Sequence, residues 1–136
     1  MIQGIGVDIV QVNRMRGWLA DRALMERFFC ARELERLGEG AERRAQSLAA
    51  RFAAKEAFGK ALGTGLRGFA LRDVWVENNA SGRPFLRLAG RAAARLAALG
   101  DEPGGRAQPV IQLSLSHERD YAVAMVVIEV NNAAND

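Results

Sequence analysis

The chain holds one cysteine, Cys30, and one histidine, His117. One thiol excludes an internal disulfide and a cysteine-based zinc site. The lone histidine follows Ser114-Leu115-Ser116 with no Asp, Ser or Cys in a known arrangement, so a catalytic triad cannot be claimed. A Cys30–His117 nucleophilic pair is set aside, because Cys30 falls where a helix needs its cap. No apolar run approaches the roughly 20 residues of a membrane span. The opening Met1-Ile2-Gln3-Gly4 lacks the basic and apolar regions of a signal peptide, so a cytoplasmic protein without membrane partners is expected. A dense basic tract is also missing: 19 Lys and Arg stand against 16 Asp and Glu, a net charge of +3. Trp18, Trp75 and Tyr121 are scattered, which argues against nucleic acid as a partner. Neither an internal repeat nor a linker is visible.

What remains is a 136-residue chain that is 49% hydrophobic and 26% charged, enough for one compact domain. The expected fold is α+β, in the order β-ααα-ββ-α-ββ, with an antiparallel-rich sheet on a long central helix. The domain is expected over residues 1–130, with a polar tail over 131–136. Ile2 to Val10 reads as a strand, with Ile5, Val7 and Ile9 on one face and Gly4, Gly6 and Asp8 on the other. Asn13 is the expected cap of a helix reaching about Arg22. A second short helix should follow Cys30, with Glu33 completing a capping box. The long helix runs from about Glu42 to Leu62 and stops at Gly63-Thr64-Gly65. Val74 and Val76 pair with Phe85 to Leu88 across the turn Asn78–Gly82. A helix over residues 90–99 and a loop over 101–109 precede strands 110–116 and 121–130. The last strand is apolar on both faces and is therefore expected to be central and covered.

The long helix concentrates the chemistry. Around it lie mostly alanines and glycine, so it should be packed on nearly all sides. It nevertheless carries Arg51, Lys55, Glu56 and Lys60, and buried charges need partners, ligands or a cleft. An ordinary helical pair between Glu56 and Lys60 is the plain alternative. Asp8 sits in an apolar strand beside two glycines that leave room for close approach. With Glu56 it forms a carboxylate pair suited to Mg²⁺, which takes few protein oxygens. A turn-bonding aspartate at a strand end is the competing explanation. Gly4-x-Gly6 lacks the third glycine of a dinucleotide fingerprint.

Three blocks carry a resemblance. Gly4-Ile5-Gly6-Val7-Asp8-Ile9-Val10 with Arg14, then Arg51-Phe52-Ala53-Ala54-Lys55-Glu56-Ala57-Phe58-Gly59-Lys60-Ala61 before Gly63-Thr64-Gly65, then Ser114-Leu115-Ser116-His117 with Tyr121-Ala122-Val123-Ala124. Their order and spacing resemble the holo-acyl carrier protein synthase family, over almost the whole chain. Cys30 departs from the small hydroxyl residue expected there. The resemblance implies a transferase that moves 4′-phosphopantetheine from coenzyme A to a serine of apo-acyl carrier protein and supports fatty acid biosynthesis. It implies that Asp8 and Glu56 bind Mg²⁺ and that Lys60 assists at the phosphate. Arg51 and His117 resemble contacts to nucleotide phosphates, with Gly63 and Gly65 beside them and Arg83-Pro84 near the adenine. Glu56 is the first candidate base, with Glu33 and Glu35 as others. Members of this length form homotrimers with sites between subunits. Arg14, Arg22 and Arg27 with Trp18 are expected to dock the acidic carrier. A different carrier domain, or a binding module in which Asp8 and Glu56 are replaceable, are the competing functions.

Overall fold

The computed structural model describes residues 1–101 and 108–131. Strand β1 (Ile2–Gln11) leads into α1 (Val12–Trp18), α2 (Arg22–Phe28), α3 (Ala31–Glu35) and the long α4 (Ala41–Leu62). A 3₁₀ turn, Leu71–Asp73, enters β2 (Val74–Asn78), followed by β3 (Pro84–Leu88), α5 (Gly90–Ala98), β4 (Gln108–His117) and β5 (Tyr121–Asn131). The three long strands form an antiparallel sheet in the order β1-β5-β4, and β2 and β3 form a separate hairpin. This is the expected α+β fold with β5 in the centre. The expected loop over 101–109 and tail over 131–136 fall mostly outside the described residues, although Gln108, Pro109 and Asn131 belong to strands.

One more helix separates β1 from β2 than expected. The first ends at Trp18 instead of running to Arg22, because Asp21 caps a new one by accepting the Leu24 N–H at 3.0 Å. Asn13 is not the cap of α1. The helix begins at Val12, whose N–H donates to the Asp120 carbonyl at 2.9 Å, so the β4–β5 turn satisfies the exposed helix end. The Cys30 position behaves as expected in one respect: Glu33 reaches back to accept the Cys30 N–H at 2.9 Å.

Contact between α4 and β1 depends on missing side chains. A Cβ on Gly4 would run into the carbonyl of Ala61, and one on Gly6 into that of Ala57. From Leu48 to Ala61 every α4 residue is buried except Arg51, Glu56 and Lys60. At its end, Gly63 adopts a left-handed φ of 82° and closes the helix through its N–H on the Lys60 carbonyl.

The glycine face of β1 is thus the inner one, which turns Ile5, Val7 and Ile9 outward at 59%, 55% and 62% exposure. Tyr121 and Met125 of β5 are exposed on the same side of the sheet. The expectation that the last strand is covered on both faces therefore fails within one chain: α4 covers one face, and the other is an open apolar surface.

Lys55 resolves one of the charges noted in α4. Its side chain is 0% exposed, as is that of Glu33, and their Nζ–Oε1 separation is 2.9 Å. Nζ also donates to the carbonyls of Leu71 (2.8 Å) and Val74, so the ammonium ties α3, α4 and the entrance to β2 together. Removing one partner of such a pair strands a buried charge. Glu33→Ala is expected to lower unfolding free energy by about 3–5 kcal/mol. Glu33→Leu with Lys55→Met should recover most of that loss. Urea denaturation of the three proteins measures both.

Candidate active site

The α4–β1 contact brings Asp8 beneath the last turns of α4. Lys60 donates to Asp8 Oδ1 at 3.0 Å and to the Val7 carbonyl at 2.9 Å. Asp8 is 17% exposed and Lys60 51% exposed, so the pair opens to solvent. The helical Glu56–Lys60 ion pair weighed from sequence does not form; Lys60 turns to β1 instead. Glu56, half-buried, has its carboxyl held above the usual glutamate range, first by burial and second by the Asp8 carboxylate. Lys60 and Arg14 pull it back in part.

Two carboxylates that repel one another at a solvent-facing edge fit a divalent cation. Among the described residues no cluster of three or more His, Cys, Asp or Glu forms a metal cage. Mg²⁺ does not require one, since it commonly takes one or two carboxylates and completes its shell with water and phosphate.

On the other flank of α4 lies a second feature. A cleft of about 560 Å³ is lined by Arg36, Arg43, Gln46, Ser47, Arg51 and His117, with no carboxylate among its lining residues. Arg51 donates to Ser47 Oγ, and its buried Nε has no partner among the described residues. Burial lowers the Arg51 pKa, with the Glu33 carboxylate offsetting it in part and Arg36 adding to it. Such a cleft suits phosphate oxygens. Sequence reasoning found Arg51 and His117 but missed Arg36, Arg43 and Gln46. The spacing Arg43–Ser47–Arg51 was the available signal for Arg43, since residues four apart share a helix face.

Arg83 and Pro84 line a neighbouring recess of about 270 Å³ with Asn79, Phe85 and Gln112, and Arg83 donates to Gln112 Oε1 at 3.1 Å. The N–H groups of Gly63 and Gly65 bond to the carbonyls of Lys60 and Gly59 at 3.0 Å each. These glycines therefore leave an open turn near Lys60 and no free N–H of their own. Arg14 lies over the Trp18 and Phe52 rings, 5.5 and 5.1 Å from their centroids. Trp18 itself is half-buried and stacked on Phe28 at 5.4 Å, so it supports Arg14 from beneath. Arg22 pairs with Glu26 at 2.8 Å, and Arg27 is exposed over Phe28. Glu33, one of the candidate bases, is sealed against Lys55 and reaches no solvent.

The candidate residues thus fall into two groups. Asp8, Glu56 and Lys60 stand at the β1 edge; Arg51, His117, Arg83 and Pro84 stand on the β4 side. Arg51 and Lys60 are nine residues apart on α4, about two and a half turns and hence on opposite sides of the helix.

The chain matches the family model of the 4′-phosphopantetheinyl transferase superfamily over residues 4–126, and it belongs to that superfamily. Among its relatives, the holo-[acyl-carrier-protein] synthase of Treponema denticola is 53% identical over 129 residues, covering 95% of this chain and 99% of that protein. The synthase of Treponema pallidum strain Nichols is 48% identical, covering 95% and 97%. The Bacillus anthracis synthase, solved in complex with CoA (3′,5′-ADP), superposes with a TM-score of 0.75 at 34% identity, covering 96% of this chain and 99% of the other. The Helicobacter pylori synthase, solved with coenzyme A, gives 0.72 at 26% identity, covering 92% and 99%.

The raised Glu56 carboxyl has a consequence for pH. A folded pKa above the unfolded value means that its contribution to stability is complete below the unfolded pKa and is lost as pH rises through the folded one. Without divalent metal, the stabilities of wild type and Glu56→Gln should begin to diverge near pH 4, about the unfolded glutamate pKa. As pH rises to neutrality, wild type should lose ground to the variant. Thermal melts of both proteins from pH 4 to 7.5 in chelator test this, and parallel curves would contradict the placement of Glu56.

Proposed function

We infer that the protein transfers 4′-phosphopantetheine from coenzyme A to a serine of apo-acyl carrier protein, giving holo-acyl carrier protein and adenosine 3′,5′-bisphosphate. The observation that carries this is the carboxylate pair beside Lys60, set against an arginine-lined cleft, in a chain nearly coextensive with named synthases. Cytoplasmic fatty acid biosynthesis is the setting that follows from the activity.

Phosphoryl-type transfer is catalysed mainly by positioning and by stabilising charge on phosphate oxygens. Asp8 and Glu56 would hold Mg²⁺, which when bound supplies positive charge to the pyrophosphate. The carrier's serine oxygen bonds to the β-phosphorus. The bond from that phosphorus to the bridging oxygen breaks, and its electron pair leaves with the bisphosphate. Lys60 faces the charge that develops there. Glu56, at the solvent-facing edge beside Lys60, is our candidate to accept the serine proton. Glu35 stays exposed and Glu33 is sealed, which disfavours Glu33 in that role. Arg51 and His117 would bind nucleotide phosphate and Arg83 and Pro84 the adenine, while Gly63 and Gly65 would only leave room for the pyrophosphate beside Lys60.

Homotrimer assembly with shared sites is part of the proposal. The two residue groups flank α4 on opposite sides, whereas the phosphates of 3′,5′-ADP share one ribose. A site joining the first group of one protomer to the second group of its neighbour removes that conflict. The open apolar face of β1 and β5 supplies surface that a neighbouring copy would cover. Arg14, Arg22 and Arg27 are proposed to meet the acidic carrier, with Trp18 supporting Arg14.

The test is intact-mass measurement of apo-acyl carrier protein after incubation with the protein, coenzyme A and Mg²⁺. A phosphopantetheine increment is expected. Asp8→Ala and Glu56→Ala should fold yet lose about 100-fold or more in turnover, the scale of removing a transition-state contact. Arg51→Ala should raise KM for coenzyme A about tenfold, as loss of a charge-assisted hydrogen bond does. Arg14→Ala with Arg27→Ala should raise KM for the carrier alone and flatten its salt dependence. An unmodified carrier, or near-wild-type turnover in the carboxylate variants, refutes the reading.

A further inference from the structure

Lys60 pairs with Asp8 and forms no ion pair with Glu56, although it shares a helix with Glu56 and lies one turn from it. Its ammonium has two partners on β1, Asp8 Oδ1 at 3.0 Å and the Val7 carbonyl at 2.9 Å. Asp8 has no other charged or hydrogen-bonding side-chain partner among the described residues. Glu56 forms no ion pair within 4.0 Å among them. One carboxylate of the proposed metal pair is therefore neutralised from within the protein, and the other is not.

We propose that Lys60 is a resident counter-ion that competes with the divalent cation for Asp8, in addition to its part in the transfer. This deepens the metal reading above and rests on it. When the cation is bound, Lys60 is expected to let go of Asp8 Oδ1, because two positive charges crowded on one carboxylate repel. The exchange is cheap on the lysine side. Lys60 is 51% exposed on a flexible four-carbon stem, so the ammonium it releases is rehydrated. An exposed pair of this kind is worth little by itself, which keeps it displaceable. The released ammonium is then available to a phosphate oxygen of the same site. Without metal it holds the strand end and the helix end together and offsets the repulsion between Asp8 and Glu56. A lysine at this position thus links metal occupancy to the freedom of the charge that serves the transfer.

The consequence runs against intuition for a residue needed in turnover: its removal should tighten metal binding. The probe is Mn²⁺ titrated into the full-length protein, with free Mn²⁺ followed by electron paramagnetic resonance and with neither coenzyme A nor carrier present. Lys60→Met is expected to bind Mn²⁺ about threefold or more tightly than wild type, the factor that corresponds to losing an exposed ion-pair competitor. Lys60→Arg, which keeps the charge, should bind no more tightly than wild type. In the wild type, the ¹⁵N resonance of the Lys60 ammonium should shift on Mg²⁺ addition as its bond to Asp8 is lost. Equal or weaker Mn²⁺ binding by Lys60→Met overturns the counter-ion role while leaving the metal site in place. Absence of Mn²⁺ binding to wild type and Lys60→Met alike overturns the metal reading, and this proposal with it. A resonance unmoved at saturating Mg²⁺ also contradicts it.

Discussion

Everything in the site depends on how closely α4 lies against β1. Gly4 and Gly6 allow the carbonyls of Ala61 and Ala57 to approach the strand where any Cβ would collide. That approach sets Asp8 within reach of Lys60 and close enough to Glu56 to raise its proton affinity. It also fixes the sidedness of the molecule. With α4 seated on β1 and β5, Arg51 is turned to the β4 side, where it meets His117 across the cleft. The same constraint gives β1 an inward glycine face and so an outward apolar one. A larger residue at Gly6 would push the helix away and undo carboxylate pairing, cleft and sheet packing together.

The charges of α4 illustrate two ways of managing a buried ion. Lys55 is closed in completely and compensated by Glu33 and two carbonyls, which makes it a tie among three elements. Arg51 is compensated only in part, with Ser47 on one nitrogen and nothing on Nε among the described residues. A cation left short of partners beside an open cleft is primed for an anionic ligand, whereas one fully bonded is structural. Position on the helix separates them: Lys55 points into the packed layer between α3 and β2, Arg51 to its margin.

Much of this was legible beforehand. The alternation in β1, the alanine-rich α4 with its glycine stop and the two hairpins follow from period and turn chemistry. Asp8, Glu56 and Lys60 stood out as charges in segments with little polar surface. The boundary at Asp21 was lost because a cap inside a short polar stretch looks like helix surface. The partners of Lys55 were unreadable, since Glu33, Leu71 and Val74 meet it only through tertiary packing. Coverage of the sheet was misjudged because an apolar strand face reads the same whether a helix of its own chain or another molecule covers it. The separation of Arg51 from Lys60 was available from their phase on one helix, but its meaning emerges only once α4 is laid across the sheet.

On that separation rests the central proposal, that a complete site would combine the β1 edge of one protomer with the β4 side of another. Mixing Asp8→Ala, which loses turnover, with Arg51→Ala, which binds coenzyme A weakly, and assaying at coenzyme A well below the raised KM under conditions that allow subunit exchange tests it directly. Mixed assemblies would contain sites that draw Asp8 from one variant and Arg51 from the other, so transfer to the carrier should return in the mixture. If each protomer carried its own full site, every site would lack one residue, and a mixture no more active than its separate components would contradict the account.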